Sequence, residues 1–355
     1  MFLQKILLLL ANTHLLSLVT MKKLNLALQG GGSHGAFTWG VIDRLLEEPD
    51  LAIGDLCGTS AGAMNATVLA YGLNVGGPAK AKELMFEFWS KVSKGARMSS
   101  MQPSWYDRWL GAGNMDYSPG FLMADMVMQH LSPYQFNPMD YNPLRDIVTE
   151  LVDFDRLRNC HENKLFLCAT NVRRGRTKVF PLAEVTIDAV MASACLPFLF
   201  KAVTIDGEDY WDGGYMGNPP IFPLIDGSDS SDIMIIQINP IEIKQTPTTV
   251  VEIRDRVNEI TFNSSLMLEM RRVNFVQKLL ERGIDLDGKL HTLRIHAINP
   301  QEDIAELNIS SKLNADWDFL MYLFELGRKY AKEWLDENKE KVGVKSSCDI
   351  SEMFL

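Results

Sequence analysis

Residues 53–62 read Ile53-Gly54-Asp55-Leu56-Cys57-Gly58-Thr59-Ser60-Ala61-Gly62. The apolar run Ile53–Cys57 predicts a short strand, and the pattern from Ala61 to Tyr71 predicts a helix. Between them stands G-x-S-x-G, the sequence of a nucleophile elbow. Gly58 and Gly62 let the chain reverse sharply and hold the Ser60 hydroxyl out of the fold. The helix that follows aims its first amides at any negative charge developing there. The same residues also fit a glycine-rich turn with Ser60 as a helix N-cap, so the neighbouring sequence has to decide.

Upstream, Leu24–Gln29 (LNLALQ) predicts the first strand. It runs into Gly30-Gly31-Gly32-Ser33-His34-Gly35, and a helical pattern continues to Glu47. Consecutive glycines after a strand leave backbone N–H groups open to an anion. Two functions suit them. One is an oxyanion hole. The other is a dinucleotide fingerprint, because Gly30, Gly32 and Gly35 satisfy G-x-G-x-x-G. The dinucleotide reading asks for an acidic residue at the end of the second strand, where this chain has Cys57. No GK[ST] follows the glycines, which excludes a P-loop.

Downstream, Lys164–Val172, Thr177–Pro181, Asp232–Asn239 and His291–Ile298 predict strands. Ala79–Lys91, Val185–Ala194, Thr249–Arg282 and Asp316–Lys339 predict helices. Strands alternating with helices predict an α/β layered fold with a largely parallel central sheet. Residues 21–300 form the expected main domain and 301–342 a helical C-terminal extension. Residues 343–355 show no periodic pattern and read as a tail. Residues 1–20 are apolar with Lys5 near the start, and three readings stand: an over-long start before Met21, an exported or membrane-associating segment, or an ordinary helix.

The chain has 355 residues, 46% hydrophobic and 23% charged, with a net charge of −10. Those values exclude global disorder and a polytopic membrane protein. The acidic balance argues against non-specific nucleic-acid binding. Any contact with a membrane must then come from apolar surface. The cysteines (Cys57, Cys160, Cys168, Cys195, Cys348) are odd in number and widely spaced, which fits a reducing compartment and a cytoplasmic protein. Export is the alternative if residues 1–20 are a signal.

A third signal is Asp212-Gly213-Gly214. Alone it is only a turn. Together, the glycine block, GTSAG and the late Asp-Gly-Gly resemble the patatin-like phospholipase family. Ala192-Ser193-Ala194-Cys195-Leu196-Pro197 is similar to the A-S-x-x-x-P segment that precedes Asp-Gly-Gly in that family. The resemblance covers roughly Leu24 to Pro220.

The resemblance implies a three-layer α/β/α fold and a serine acyl hydrolase with a Ser–Asp dyad and no catalytic histidine. Ser60 takes the nucleophile's position and Asp212 the base's. Gly31 and Gly32, with Gly30 and Ser33, take the oxyanion-hole positions. Gly35, Gly58, Gly62, Gly213 and Gly214 complete the motifs. No cofactor or metal is implied, and the partner expected is a lipid substrate, with transient contact to a membrane surface. One departure is His34, which stands where the family often has Arg or Lys.

Two alternatives remain at this stage. The order Ser60…Asp212…His291 or His296 also fits an α/β-hydrolase triad. A non-catalytic lipid-binding or regulatory protein on the same scaffold would need neither. Residues 97–144 are rich in Met, Trp and Tyr broken by prolines. They read as a lid or acyl pocket for variable apolar ligands, or as an irregular core layer. Arg173, Arg174 and Arg176 read as a hairpin turn or a phosphate contact. Asn263, Ser264 and Ser265 read as a kink or cap.

Overall fold

The computed structural model describes residues 21–97, 99, 101–110, 113–284 and 292–355. Residues 1–20, Met98 and His291, each read above from sequence, lie outside them. Strand β1 (Lys22–Leu28) lies at the centre of the sheet. Its alternation explains why. Leu24, Leu26 and Leu28 point into one core, while Ala27 points into another on the opposite face. A strand that is apolar on both faces has to be covered on both. Burying each leucine contributes roughly 1.5–3 kcal/mol.

Strands β2 (Leu51–Thr59), β3 (Leu165–Asn171), β7 (Asp232–Ile236) and β8 (Arg294–Ile298) complete a parallel run in the order β3-β2-β1-β7-β8. Strands β4 (Arg176–Pro181) and β6 (Glu208–Asp212) are antiparallel to β3, and β5 (Val203–Ile205) is antiparallel to β6. The expected α/β sheet is therefore present, largely parallel with an antiparallel edge.

The first helical layer contains α1 (Gly35–Leu45) and α2 (Ala61–Ala96). Helix α2 bends at Gly76 and Gly77, just before Pro78. That break separates the two helices expected from sequence. Further helix follows at Ile187–Ser193 (α3). The predicted C-terminal helix, α5 (Trp317–Asn338), joins this layer by lying directly on α1. A Cβ on Gly40 would collide with the Phe324 carbonyl, and one on Gly327 with the Phe37 carbonyl. Each helix thus presents a notch to the other's backbone. Trp39 fills the joint, 4.1 Å from the Phe324 ring.

The second layer is α4 (Val250–Glu281), a single helix opened by a Thr249/Glu252 capping box. It runs through Asn263–Ser265 without the expected kink. The end of the chain also differs from its reading as a tail. Ile350–Phe354 (α6) is a short helix capped by Asp349, and Ile350 and Phe354 are buried with Leu266 and Met270 in the second core. Five residues are too few to show a helical period in sequence. Phe354→Ala should cost about 3 kcal/mol in denaturant unfolding, and an unchanged midpoint would show that the terminal helix does not seal this face.

Candidate active site

The elbow is a strained turn. Ser60 has φ 56° and ψ −123°, outside the ordinary regions for a side-chain-bearing residue. Holding it there costs on the order of 1–3 kcal/mol. The surroundings explain how. A Cβ on Gly58 would collide with the Gly62 carbonyl, and one on Gly62 with the Leu28 carbonyl at the end of β1. Thr59 Oγ1 donates to the Gly217 carbonyl at 2.6 Å, and the Ser60 N–H donates to Ser193 Oγ at 3.0 Å. Ser193, the serine of the A-S-x-x-x-P segment, is therefore a brace for the elbow.

The glycine turn lies against the same point. A Cβ on Gly30 would come 2.6 Å from the Ser60 Cβ. Gly32 has φ +61°, and its α-carbon faces the Lys312 carbonyl so closely that no side chain fits. Gly35 meets Ala61 and Trp89, which lets α1 approach the start of α2.

Gly30 departs from its expected role. Its N–H donates to Asn218 Oδ1 at 2.6 Å, so that amide is already satisfied. Asn218 Nδ2 and Asn239 Nδ2 both donate to the Gly30 carbonyl, at 3.3 and 2.7 Å. The amides of Gly31, Gly32 and Ser33 donate to no acceptor among the described residues. Behind the turn, buried Gln29 accepts the N–H groups of Ile238 and Asn239 and donates to Asn263 Oδ1.

Sheet register delivers Asp212. Thr59 pairs with Cys168 across β2 and β3, and the next residue, Ala169, pairs with Asp212 across β3 and β6. Gly213 packs against the Cys168 carbonyl and Gly214 against the Phe262 ring, each too closely for a side chain. Asp212 is fully buried. Its Oδ1 accepts the Gly214 N–H at 2.7 Å, while Oδ2 has no hydrogen-bond partner. Burial pushes the carboxyl up to about 7, against the opposing pull of the Gly214 N–H, the Ser60 hydroxyl and the Lys312 charge. The Ser60 hydroxyl is thus close enough to act on this carboxylate.

Other residues singled out by sequence sit elsewhere. His34 is buried, with Nε2 2.7 Å from Ser311 Oγ. Burial, with the Lys312 charge, pulls it down to about 3, so it is a neutral ring. His296 is tied to Asp232 and Ser347, each at 3.0 Å, and is not the third member of a triad with Ser60. Arg173 and Arg174, in the β3–β4 turn, pair with Glu208 at the start of β6. Sequence reasoning passed over Asn218, Asn239 and Lys312, and no local pattern marks them.

Ser60 is only 7% exposed. Two clefts, of about 440 Å³ beside Glu269 and about 500 Å³ beside Asp316, have neither Ser60 nor Asp212 in their walls. The segment of residues 105–141 presents large apolar side chains to the surface. Trp105, Trp109, Met123, Met126, Met139 and Tyr141 are all exposed, with Met139 at 90%. This segment is tied to the rest of the fold through hydrogen bonds. Met115 N–H donates to Ser310 Oγ near Lys312, and Lys201, in the loop between Cys195 and β5, donates to the Pro138 carbonyl. No helix among the described residues is long and apolar enough to cross a membrane.

Comparison with known proteins gives the family. An uncharacterized protein of Acanthamoeba polyphaga mimivirus is 26% identical over 321 residues, covering 87% of this chain and 92% of that protein. Among solved structures, VipD from Legionella pneumophila matches with a TM-score of 0.39 and 17% identity, over 86% of this chain and 67% of that one. The type III secretion effector ExoU, in its complex with SpcU from Pseudomonas aeruginosa, matches with a TM-score of 0.32 and 21% identity, over 71% of this chain and 52% of that one. The patatin-like phospholipase model matches residues 26–225, which span the glycine turn, the elbow and Asp212. The chain belongs to the patatin-like phospholipase family.

Proposed function

We propose that this protein is a lipid acyl hydrolase that cleaves carboxylic esters, with phospholipids as the substrate class, through a Ser60–Asp212 dyad. One observation carries the reading. A serine on a strained elbow and a fully buried carboxylate with an unpartnered oxygen are brought together by the register of β2, β3 and β6. Buried polar atoms are ordinarily satisfied, and an orphan oxygen on a carboxyl that feels the serine hydroxyl is poised to take a proton.

The chemistry follows from that placement. Asp212 accepts the Ser60 hydroxyl proton as Oγ attacks the ester carbonyl carbon. The carbonyl π electrons move to oxygen, and the Gly31, Gly32 and Ser33 amides face the resulting negative charge. The C–O bond to the alcohol breaks, and the proton on Asp212 passes to the leaving oxygen. Asp212 then takes a proton from water, whose oxygen attacks the acyl carbon. Fatty acid leaves, and Ser60 regains its proton. A carboxylate is a weak base in water, and desolvation raises its basicity toward neutral pH. The exposed Trp and Met side chains of residues 105–141 support lipid contact, since an acidic protein needs apolar surface to meet a membrane.

Three outcomes test this reading. Ser60→Ala and Asp212→Asn should each lower fatty-acid release from phospholipid vesicles by about 10³-fold or more while circular dichroism stays native; substantial release by either variant contradicts the dyad. The kcat/KM of the wild type should rise with pH on an acid limb near pH 7, because Asp212 acts only when ionised. The third is a stability test. Asp212 has its folded value raised from 3.8 to about 7, so its contribution is present at low pH and is lost as the pH rises through about 7. Asp212→Asn should therefore melt above the wild type at pH 8, with the gap closing as the pH falls toward 4; an equal gap at both ends would contradict a buried, destabilised carboxylate.

A further inference from the structure

Lys312 lies in the short turn Ser311–Leu313, over 250 residues beyond Ser60 and outside the span of the family match. Its backbone closes on Gly32, leaving no room for a side chain there. Its Nζ donates to Asn239 Oδ1 at 2.8 Å, and Asn239 in turn donates to the Gly30 carbonyl at 2.7 Å. The ammonium also stands 5.8 Å from the centre of the Phe262 ring, and that ring packs on Gly214, two residues after Asp212. Lysine carries three N–H donors, and one of them has an acceptor among the described residues. The side chain thus bridges the glycine turn and the Asp212 turn while spending little of its charge on hydrogen bonds.

We infer that Lys312 is a positioning residue for ester hydrolysis, holding the glycine turn through Asn239 and placing a buried positive charge between that turn and the Asp212 turn. The inference rests on the dyad reading above. The charged and titratable groups around Lys312 are Asp212, Asp255 and Glu259, with His34 held against the neighbouring Ser311. Burial pulls the ammonium below its ordinary value, and Glu259, Asp255 and Asp212 push it back up. Lys312 in turn lowers Asp212, opposing the effect of burial on that carboxyl. Without the cation, Asp212 would hold its proton to higher pH and be a base over a narrower range.

The test compares kcat/KM against pH for phospholipid vesicles in the wild type, Lys312→Gln, Lys312→Met and Lys312→Arg, with Asp212→Asn as the reference. Glutamine can still donate to Asn239 but carries no charge. The acid limb should move to higher pH in Lys312→Gln, each unit of displacement reading as about a tenfold loss on the acid side, and Lys312→Arg should keep it near the wild-type position. If Lys312→Gln does not fold, Lys312→Met, which keeps the apolar stem, reports the same displacement. A lower plateau with an unmoved limb would make Lys312 a packing residue and overturn the inference alone. A wild-type-like profile in Lys312→Gln would overturn it as well. An active Asp212→Asn would instead bring down the dyad reading, and this inference with it.

Discussion

The structure depends on one close approach, between the end of β1 and the elbow after β2. The Leu28 carbonyl lies where a side chain at position 62 would have to be, and Gly30 lies almost in contact with Ser60. Only glycine permits either distance. Because β1 and β2 are neighbours in a parallel sheet, both chains leave at the same end, and the two turns have no choice but to meet. Ligands bind at this end of open α/β sheets for the same reason: strand ends there converge and backbone amides point outward. Strain at Ser60 is then a consequence of the sheet, sustained by the hydrogen bonds of Thr59 and Ser193.

Around that contact the protein builds a network of buried amides whose side-chain groups are all paired. Gln29, Asn218, Asn239 and Asn263 exchange amide hydrogen bonds behind the glycine turn. A fully paired network of this kind fixes geometry more firmly than packing alone. Asp212 Oδ2 stands apart from it as an orphan acceptor. Ionising a carboxylate in so dry a place is costly, which ties the reactivity proposed for Asp212 to a loss of stability at neutral pH. The long helix α4 takes part on both counts, since Phe262 covers Gly214 while Asn263 joins the amide network.

Much of this was legible in the sequence, and the reason is local. GTSAG, the glycine block and Asp-Gly-Gly each encode a backbone shape that only small residues can adopt, so the requirement is written at the site itself. Strand alternation in LNLALQ and the apolar run Ile233–Ile236 likewise declare their burial residue by residue. The partners were not legible. Asn218 and Lys312 are ordinary polar residues whose meaning comes from who faces them, and those contacts span 188 residues for Asn218 and Gly30 and 73 for Lys312 and Asn239. Gly30 was misread for the same reason: its motif announces an open amide, but a distant asparagine fills it. The buried helix at the chain end escaped notice because Ile350 and Phe354 make too short a pattern to read.

The most direct test of the account is to react the protein with a fluorophosphonate, map the modified peptide by mass spectrometry and follow fatty-acid release in the same samples. The account predicts a single adduct on Ser60 and hydrolysis that falls in proportion to its occupancy. Full modification of Ser60 with undiminished hydrolysis, or hydrolysis lost through an adduct elsewhere, would contradict it.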